Sequence, residues 1–276
     1  MLKRIITAVV ALALLIPFLI YADSPFFLGL MSFLAAVAAF ELFRCAGCQK
    51  RFFTLIISIL FAVALPILTR FYSYFTDSYA DLILPIILVY LILLAILAVF
   101  SKGAFAPTDA MLLFASVFYA TFGFASLVLL HDLPNGEYIY LIALISPWVT
   151  DTAAYFCGRL FGKHKLIPDV SPKKTVEGAI GGIVFCIGFV VLFCSFAGGG
   201  LCDAIWKMVL IGALISVLSQ CGDLIASVIK RHYQIKDYGR IFPGHGGVMD
   251  RFDSVILSAI CLWLLTQCKF LHLFVG

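Results

Sequence analysis

Residues 79–100 read Tyr79-ADLILPIILVYLILLAILAV-Phe100, twenty-two positions with a single ionisable carboxylate, Asp81, and no basic residue. A bilayer core needs about 20 consecutive apolar residues in helical form. The run is too long for a strand and lacks the alternation of a barrel strand. It is therefore expected to be a membrane-spanning helix. Eight further stretches read the same way: Ile5–Tyr21, Pro25–Phe43, Phe52–Leu68, Asp109–Leu130, Tyr138–Cys157, Val176–Ala197, Trp206–Ile229 and Phe252–Val275. The first follows Lys3 and Arg4 as a signal peptide would. It is long for one and no A-x-A cleavage pattern follows, so a retained first helix is expected.

Composition supports this reading. The 276 residues are 63% hydrophobic and 12% charged, with a mean hydropathy of +1.12. Ordinary soluble domains carry about 25% charged residues. Half that charge cannot cover the apolar residues of a soluble globule, which excludes a soluble enzyme, a disordered chain and a nucleic-acid-binding domain. The expected fold class is all-α, a polytopic membrane bundle of about nine transmembrane helices.

Basic residues orient the bundle, because cytoplasmic loops retain Lys and Arg. With the N-terminus in the cytoplasm and strict alternation, only Arg70, Lys207 and Lys269 of the 19 basic residues face outward. Two long loops, residues 158–175 and 230–251, both fall inside. The chain then divides into N-terminal helices over 1–137 and a C-terminal catalytic region over 138–276.

The nine cysteines are odd in number and lie mostly in apolar runs, so no disulfides are expected. Cys45 and Cys48 form a lone CxxC with no second pair to complete a zinc site. His131, His164, His232 and His272 show no ligand spacing. Glu41 and Asp109 lie near span ends, where interfacial placement is expected.

Ionisable groups deeper in spans point to function. Asp151 precedes Arg159 by eight residues and Asp223 precedes Lys230 by seven. Both therefore lie about 10–12 Å below the cytoplasmic boundary, which suggests one polar cavity opening inward. Ser227 and Glu177 are candidates to join it.

The densest chemistry lies in Ser227-VIKRHYQIKDYGRIFPGHGGVMDRF-Asp253. Lys230, Arg231, Lys236, Arg240 and Arg251 supply cations, and Asp237, Asp250 and Asp253 supply carboxylates. Pro243, Gly244, Gly246 and Gly247 surround His245. Glycines let backbone N–H groups approach an anion, phosphate oxygens seek N–H donors and cations, and Mg²⁺ uses one or two carboxylates with water and substrate phosphates. Asp250 and Asp253 are spaced to share a face as the last helix begins, as are Asp223, Ser227 and Lys230. A plain basic loop on anionic lipid would explain the lysines but not the carboxylates or the glycine-flanked histidine.

In Ser171-PKKTVE-Gly178, Ser171 reads as a helix N-cap with Pro172 in the first helical position. Lys173 and Lys174 would then sit at the positive end of a helix dipole, which a bound phosphate would reconcile. Thr175 or Glu177 would help orient that phosphate, with Gly246 and Gly247 as further phosphate-binding candidates. The pairs Gly158/Gly162 and Gly178/Gly182 read as close-packing positions.

The stretch Ser227–Asp253 resembles the signature of the phosphatidate cytidylyltransferase (CDP-diacylglycerol synthase) family: S-x-hydrophobic-K-R, then K-D and a small residue, then H-G-G and D-R-hydrophobic-D. Ser227, Lys230, Arg231, Lys236, Asp237, Gly239, Pro243, His245, Gly246, Gly247, Asp250, Arg251 and Asp253 all match. Asp151–Tyr155, Gly158-Arg159, Phe161–Lys163 and Ser171–Gly178 also resemble family segments. The resemblance implies that CTP and phosphatidic acid give CDP-diacylglycerol and pyrophosphate at the cytoplasmic face of the bacterial inner membrane. It further implies Mg²⁺, in paired ions, with Asp223 and Asp250 as metal ligands, and a homodimer. Two other readings fit parts of the pattern. One is a CTP-using transferase or kinase acting on an isoprenoid alcohol or ether lipid, which would need a base such as Asp237 or His245. The other is a secondary transporter, which would show related halves that are absent here.

Overall fold

The computed structural model describes residues 16–47, 51–76, 78–196, 201–242 and 246–267. It is a helical protein, and seven of its described helices are long and apolar enough to cross a membrane. Of the expected first span, Ile5–Tyr21, only 16–21 are described, helical over 16–20 with Tyr21 in a turn. The other expected spans each correspond to a helix. The expected end of the last one, residues 268–275, lies outside the described residues.

The chain divides into two compact units. The first comprises residues 1–128 and 233–251. Its helix α1, Pro25–Cys45, opens with Ser24 in extended backbone and proline at the first helical position, where the missing N–H is no loss. Helix α2, Phe52–Arg70, packs on α1, and α3, Tyr79–Phe100, packs on α2. Ser58 on α2 shares a 3.0 Å hydrogen bond with the Tyr90 hydroxyl of α3, and Phe61 stacks on the Tyr90 ring at 4.2 Å. The opposite face of α3 leaves Leu84, Val89, Ile92 and Val99 exposed, an apolar surface suited to acyl chains rather than water. Helix α4, Pro107–His131, follows, its last three residues falling in the second unit.

The second unit comprises residues 129–232 and 252–276. It contains α5 (Gly136–Phe161), a two-stranded hairpin of β1 (Lys165–Ile167) and β2 (Ser171–Thr175), α6 (Val176–Phe196) and α7 (Ile205–His232). It also holds most of α8, Met249–Gln267. Helices α5 and α6 approach through small residues: a Cβ added at Gly178 would stand 2.6 Å from the Ala154 carbonyl and 3.1 Å from the Gly158 Cα. Helices α6 and α7 meet in the same way, since a Cβ at Gly212 would stand 2.8 Å from the Ile187 Cα. The glycine pairs are thus packing positions, as their spacing predicts. Polar pairs add to this: Thr150 donates to Ser216 at 3.2 Å and Gln220 donates to the Ala179 carbonyl at 3.3 Å.

The hairpin corrects one expectation. Ser171 is not an N-cap, and Lys173 and Lys174 are not in a first helical turn. Residues Ser171–Thr175 form a strand antiparallel to β1, with Ser171 opposite Ile167 and Thr175 opposite Lys165. A residue before proline favours extended backbone, which suits Ser171 in a strand, and Pro172 is tolerated on a two-stranded edge. The helix starts later, at Val176, where the Thr175 hydroxyl accepts from Gly178 N at 3.1 Å. Thr175, not Ser171, is the cap.

Candidate active site

In the second unit, four elements bring charge together. Asp223 lies in α7 and Lys174 in β2, and their Oδ2 and Nζ are 2.5 Å apart. Both side chains are about one-quarter exposed, at 27% and 25%, while the Lys174 ammonium nitrogen itself is closed off from solvent. Asp253 on α8 is buried and lies within electrostatic range of Asp223, Lys230 and Asp151. Its Oδ1 accepts from Ser254 N at 2.8 Å. Ser254 in turn donates its hydroxyl to Asp151 Oδ2 at 3.1 Å. Asp151 and Asp223, expected to share one polar cavity, each lie near Asp253. Asp223, Ser227 and Lys230 do share a helix and a face, all three half-buried on α7.

Glu177 does something different from joining this group. Its carboxylate accepts from Lys163 N at 3.1 Å and His164 N at 3.2 Å, and pairs with His164 Nδ1 at 2.6 Å. It ties the start of α6 to the entry of the hairpin, and so fixes the strand that carries Lys173 and Lys174. His164, to which the sequence assigns no role, is its partner. Lys173 is exposed.

In the first unit, the order centres on Asp250, in the opening turn of α8. Its Oδ2 accepts from Tyr238 N at 2.7 Å and from Gly247 N at 2.9 Å. The loop folds back on itself where Phe242 N donates to the Gly246 carbonyl at 3.0 Å. Gly246 has φ +86, and a Cβ there would stand 2.7 Å from Asp250 Oδ2. Glycine is required twice over, by the left-handed backbone and by the approach of the carboxylate. Arg231, Lys236, Asp237 and Arg251 are exposed. Pro243, Gly244 and His245 lie outside the described residues, as does Cys48 of the CxxC pair.

Glu41 overturns its expected interfacial placement. It is 2% exposed, and its two oxygens accept from Val248 N at 3.1 Å and Met249 N at 2.9 Å. Arg44, one turn on, donates to the Tyr238 carbonyl at 2.6 Å. The sequence signal was present, a charge inside an apolar run, but its partners lie some two hundred residues away.

Among the described residues, no three His, Cys, Asp or Glu side chains converge to hold a metal ion. That arrangement is compatible with Mg²⁺, which takes one or two carboxylates and completes its shell with water and phosphate oxygens. The donors present are hard carboxylate oxygens, the type that Mg²⁺ takes, with Lys174 beside Asp223 and Lys230 near Asp253.

A phosphatidate cytidylyltransferase of Staphylococcus haemolyticus (strain JCSC1435) is 34% identical over 253 residues, covering 91% of this chain and 93% of that protein. Phosphatidate cytidylyltransferases of Staphylococcus saprophyticus and Staphylococcus epidermidis are 42% and 44% identical over 156 residues, which cover 56% of this chain and 58% of each relative. The model of the cytidylyltransferase family matches residues 2–269, the charged cluster and the Asp250 turn included, and the chain belongs to that family.

Proposed function

We propose that the protein is an integral-membrane nucleotidyltransferase that converts CTP and phosphatidic acid to CDP-diacylglycerol and pyrophosphate. The observation that carries this reading is the cluster of Asp223, Asp253 and Asp151 with Lys174 and Lys230, set on apolar helices of a chain similar along 91% of its length to an enzyme of that name. The site faces the cytoplasm of the bacterial inner membrane, where CTP is available. The distribution of Lys and Arg between the loops supports that orientation, with the N-terminus inside.

The reaction needs little proton chemistry. The nucleophile is a phosphate oxygen of phosphatidate, largely dianionic near neutral pH because the second pKa of a phosphomonoester is about 6. That oxygen bonds to the α-phosphorus of CTP while the bond from this phosphorus to the bridging oxygen of pyrophosphate breaks. The difficulty is electrostatic: two polyanions must meet, and a third must leave. Catalysis of this kind rests on positioning and charge stabilisation. Lys174 and Lys230 would offset phosphate charge beside the aspartates. Lys173, Arg231, Lys236 and Arg251 offer further cations. Asp223 and Asp250 are the proposed Mg²⁺ ligands. Bound there, the ion would act as a Lewis acid on triphosphate oxygens. The acyl chains stay in lipid throughout, against exposed apolar helix faces, and a homodimer is part of the proposed assembly.

Purified protein in detergent or nanodiscs, incubated with phosphatidic acid, labelled CTP and Mg²⁺, is expected to release pyrophosphate and form a labelled liponucleotide. Transfer to an isoprenoid alcohol in place of phosphatidic acid would overturn the substrate assignment. Vesicle uptake without CTP turnover would overturn the reaction class.

A further inference from the structure

We infer that Glu41 and Arg44 of α1 are positioning residues for the Asp250 carboxylate; the inference rests on the activity proposed above. A carboxylate as buried as Glu41 is costly unless its oxygens are satisfied. Both are satisfied by backbone N–H groups at the start of α8, those of Val248 and Met249. These belong to the donors that a helix leaves unpaired at its N-terminus. The residues before α8, Gly247 and Val248, carry no side-chain oxygen to cap it. Glu41 is thus a cap supplied from a distant part of the chain, and its charge suits the positive end of the helix dipole.

The contact does more than cap. The Asp250 carboxylate grips the same short backbone from its other side, through Gly247 N and Tyr238 N. Tyr238 is held in turn at its carbonyl by Arg44. So both peptide segments that orient Asp250 are themselves anchored to α1, one by Glu41 and one by Arg44. The fit is tight: a Cβ at Gly239 or at Gly247 would overlap the Glu41 carboxylate. Glutamine has nearly the same shape but replaces one acceptor oxygen with an NH₂ group. That group would confront a backbone N–H, and the turn would have to shift. The Asp250 carboxylate held by that turn would move with it.

The test uses the full-length protein in nanodiscs, as wild type, Glu41→Gln and Arg44→Lys. Glu41→Gln is expected to lower kcat by about 10- to 100-fold, the usual cost of losing a partner that orients a ligand. The KM for phosphatidate is expected to stay within about threefold, since ground-state lipid binding is untouched. Arg44→Lys should show the same split, and it carries the test if Glu41→Gln does not fold. A variant that melts cooperatively but keeps kcat within about twofold of wild type would overturn the inference. Hydrogen exchange distinguishes this failure from a failure of the proposed reaction. In Glu41→Gln, exchange should quicken at Tyr238 and Gly247, whose acceptor is Asp250, as well as at Val248 and Met249. Quickening confined to Val248 and Met249 would show a simple cap and sink the positioning role, whatever the reaction.

Discussion

Lys174 Nζ rests 2.5 Å from Asp223 Oδ2, joining the second strand of the hairpin to the middle of α7. The side chains are one-quarter exposed but the ammonium nitrogen is buried, so removing it leaves Asp223 uncompensated beside other carboxylates. In the proposed reaction it would also be a cation beside a carboxylate where phosphate arrives. Lys174→Met is therefore expected to lower the melting midpoint and to lower kcat/KM by about 10²-fold, as for loss of one electrostatic donor. Steady-state pyrophosphate release alongside thermal melting checks both halves. Turnover within a few-fold of wild type would remove Lys174 from the site.

Asp253 is buried near two other carboxylates, Asp223 and Asp151, and Lys230 and the Ser254 N–H offset them. A buried like-charge cluster weakens the fold that holds it. Asp253→Asn keeps the oxygen that accepts from Ser254 N but removes one negative charge. It should raise the melting temperature by about 2–4 °C for each kcal/mol of repulsion relieved, and turnover should fall. Lys230→Met should shift the midpoint the opposite way. A lower midpoint for Asp253→Asn would contradict the repulsion argument.

Asp250→Asn is expected to abolish turnover while the protein still inserts and melts cooperatively, because the amide oxygen preserves an acceptor for Tyr238 N and Gly247 N. Chelation of divalent ions should stop the wild-type reaction, and Mg²⁺ should restore it. Near-normal turnover of Asp250→Asn in Mg²⁺ would end its assignment as a metal ligand.

Gly178 stands where α5 and α6 approach closely. Gly178→Val would press a branched side chain onto the Ala154 carbonyl and the Gly158 Cα. Destabilisation of about 1–3 kcal/mol is expected from overpacking, read as a lower melting temperature with Lys174 and Asp223 unchanged. An unaltered midpoint would show that the two helices separate freely.

Much of the architecture was legible in the residues. The long uncharged runs mark the helices because a backbone in lipid must satisfy its own hydrogen bonds. The spacing of Asp223, Ser227 and Lys230 places them on one face because α7 is regular there. The start of α6 was misread because Ser171-Pro172 and Thr175-Val176 are both credible helix openings. Strand pairing with Lys165–Ile167 settled the choice, and pairing depends on a partner that local signals do not reveal. Glu41 was misread for a similar reason: a carboxylate near a span end is cheap if it reaches water, and its burial depends on what folds over it.

From its sequence alone, this chain was bound to be a membrane helical bundle, since that follows from hydropathy; charge placement and the residue types between Ser227 and Asp253 raised the expectation of a basic inner side and a phosphate-handling loop. Tertiary structure decided which charges meet. It set Lys174 against Asp223, Ser254 against Asp151, and Glu41 against the backbone that carries Asp250. Those pairings join residues far apart in the chain, and only packing through glycines and buried polar contacts brings such residues within hydrogen-bonding distance.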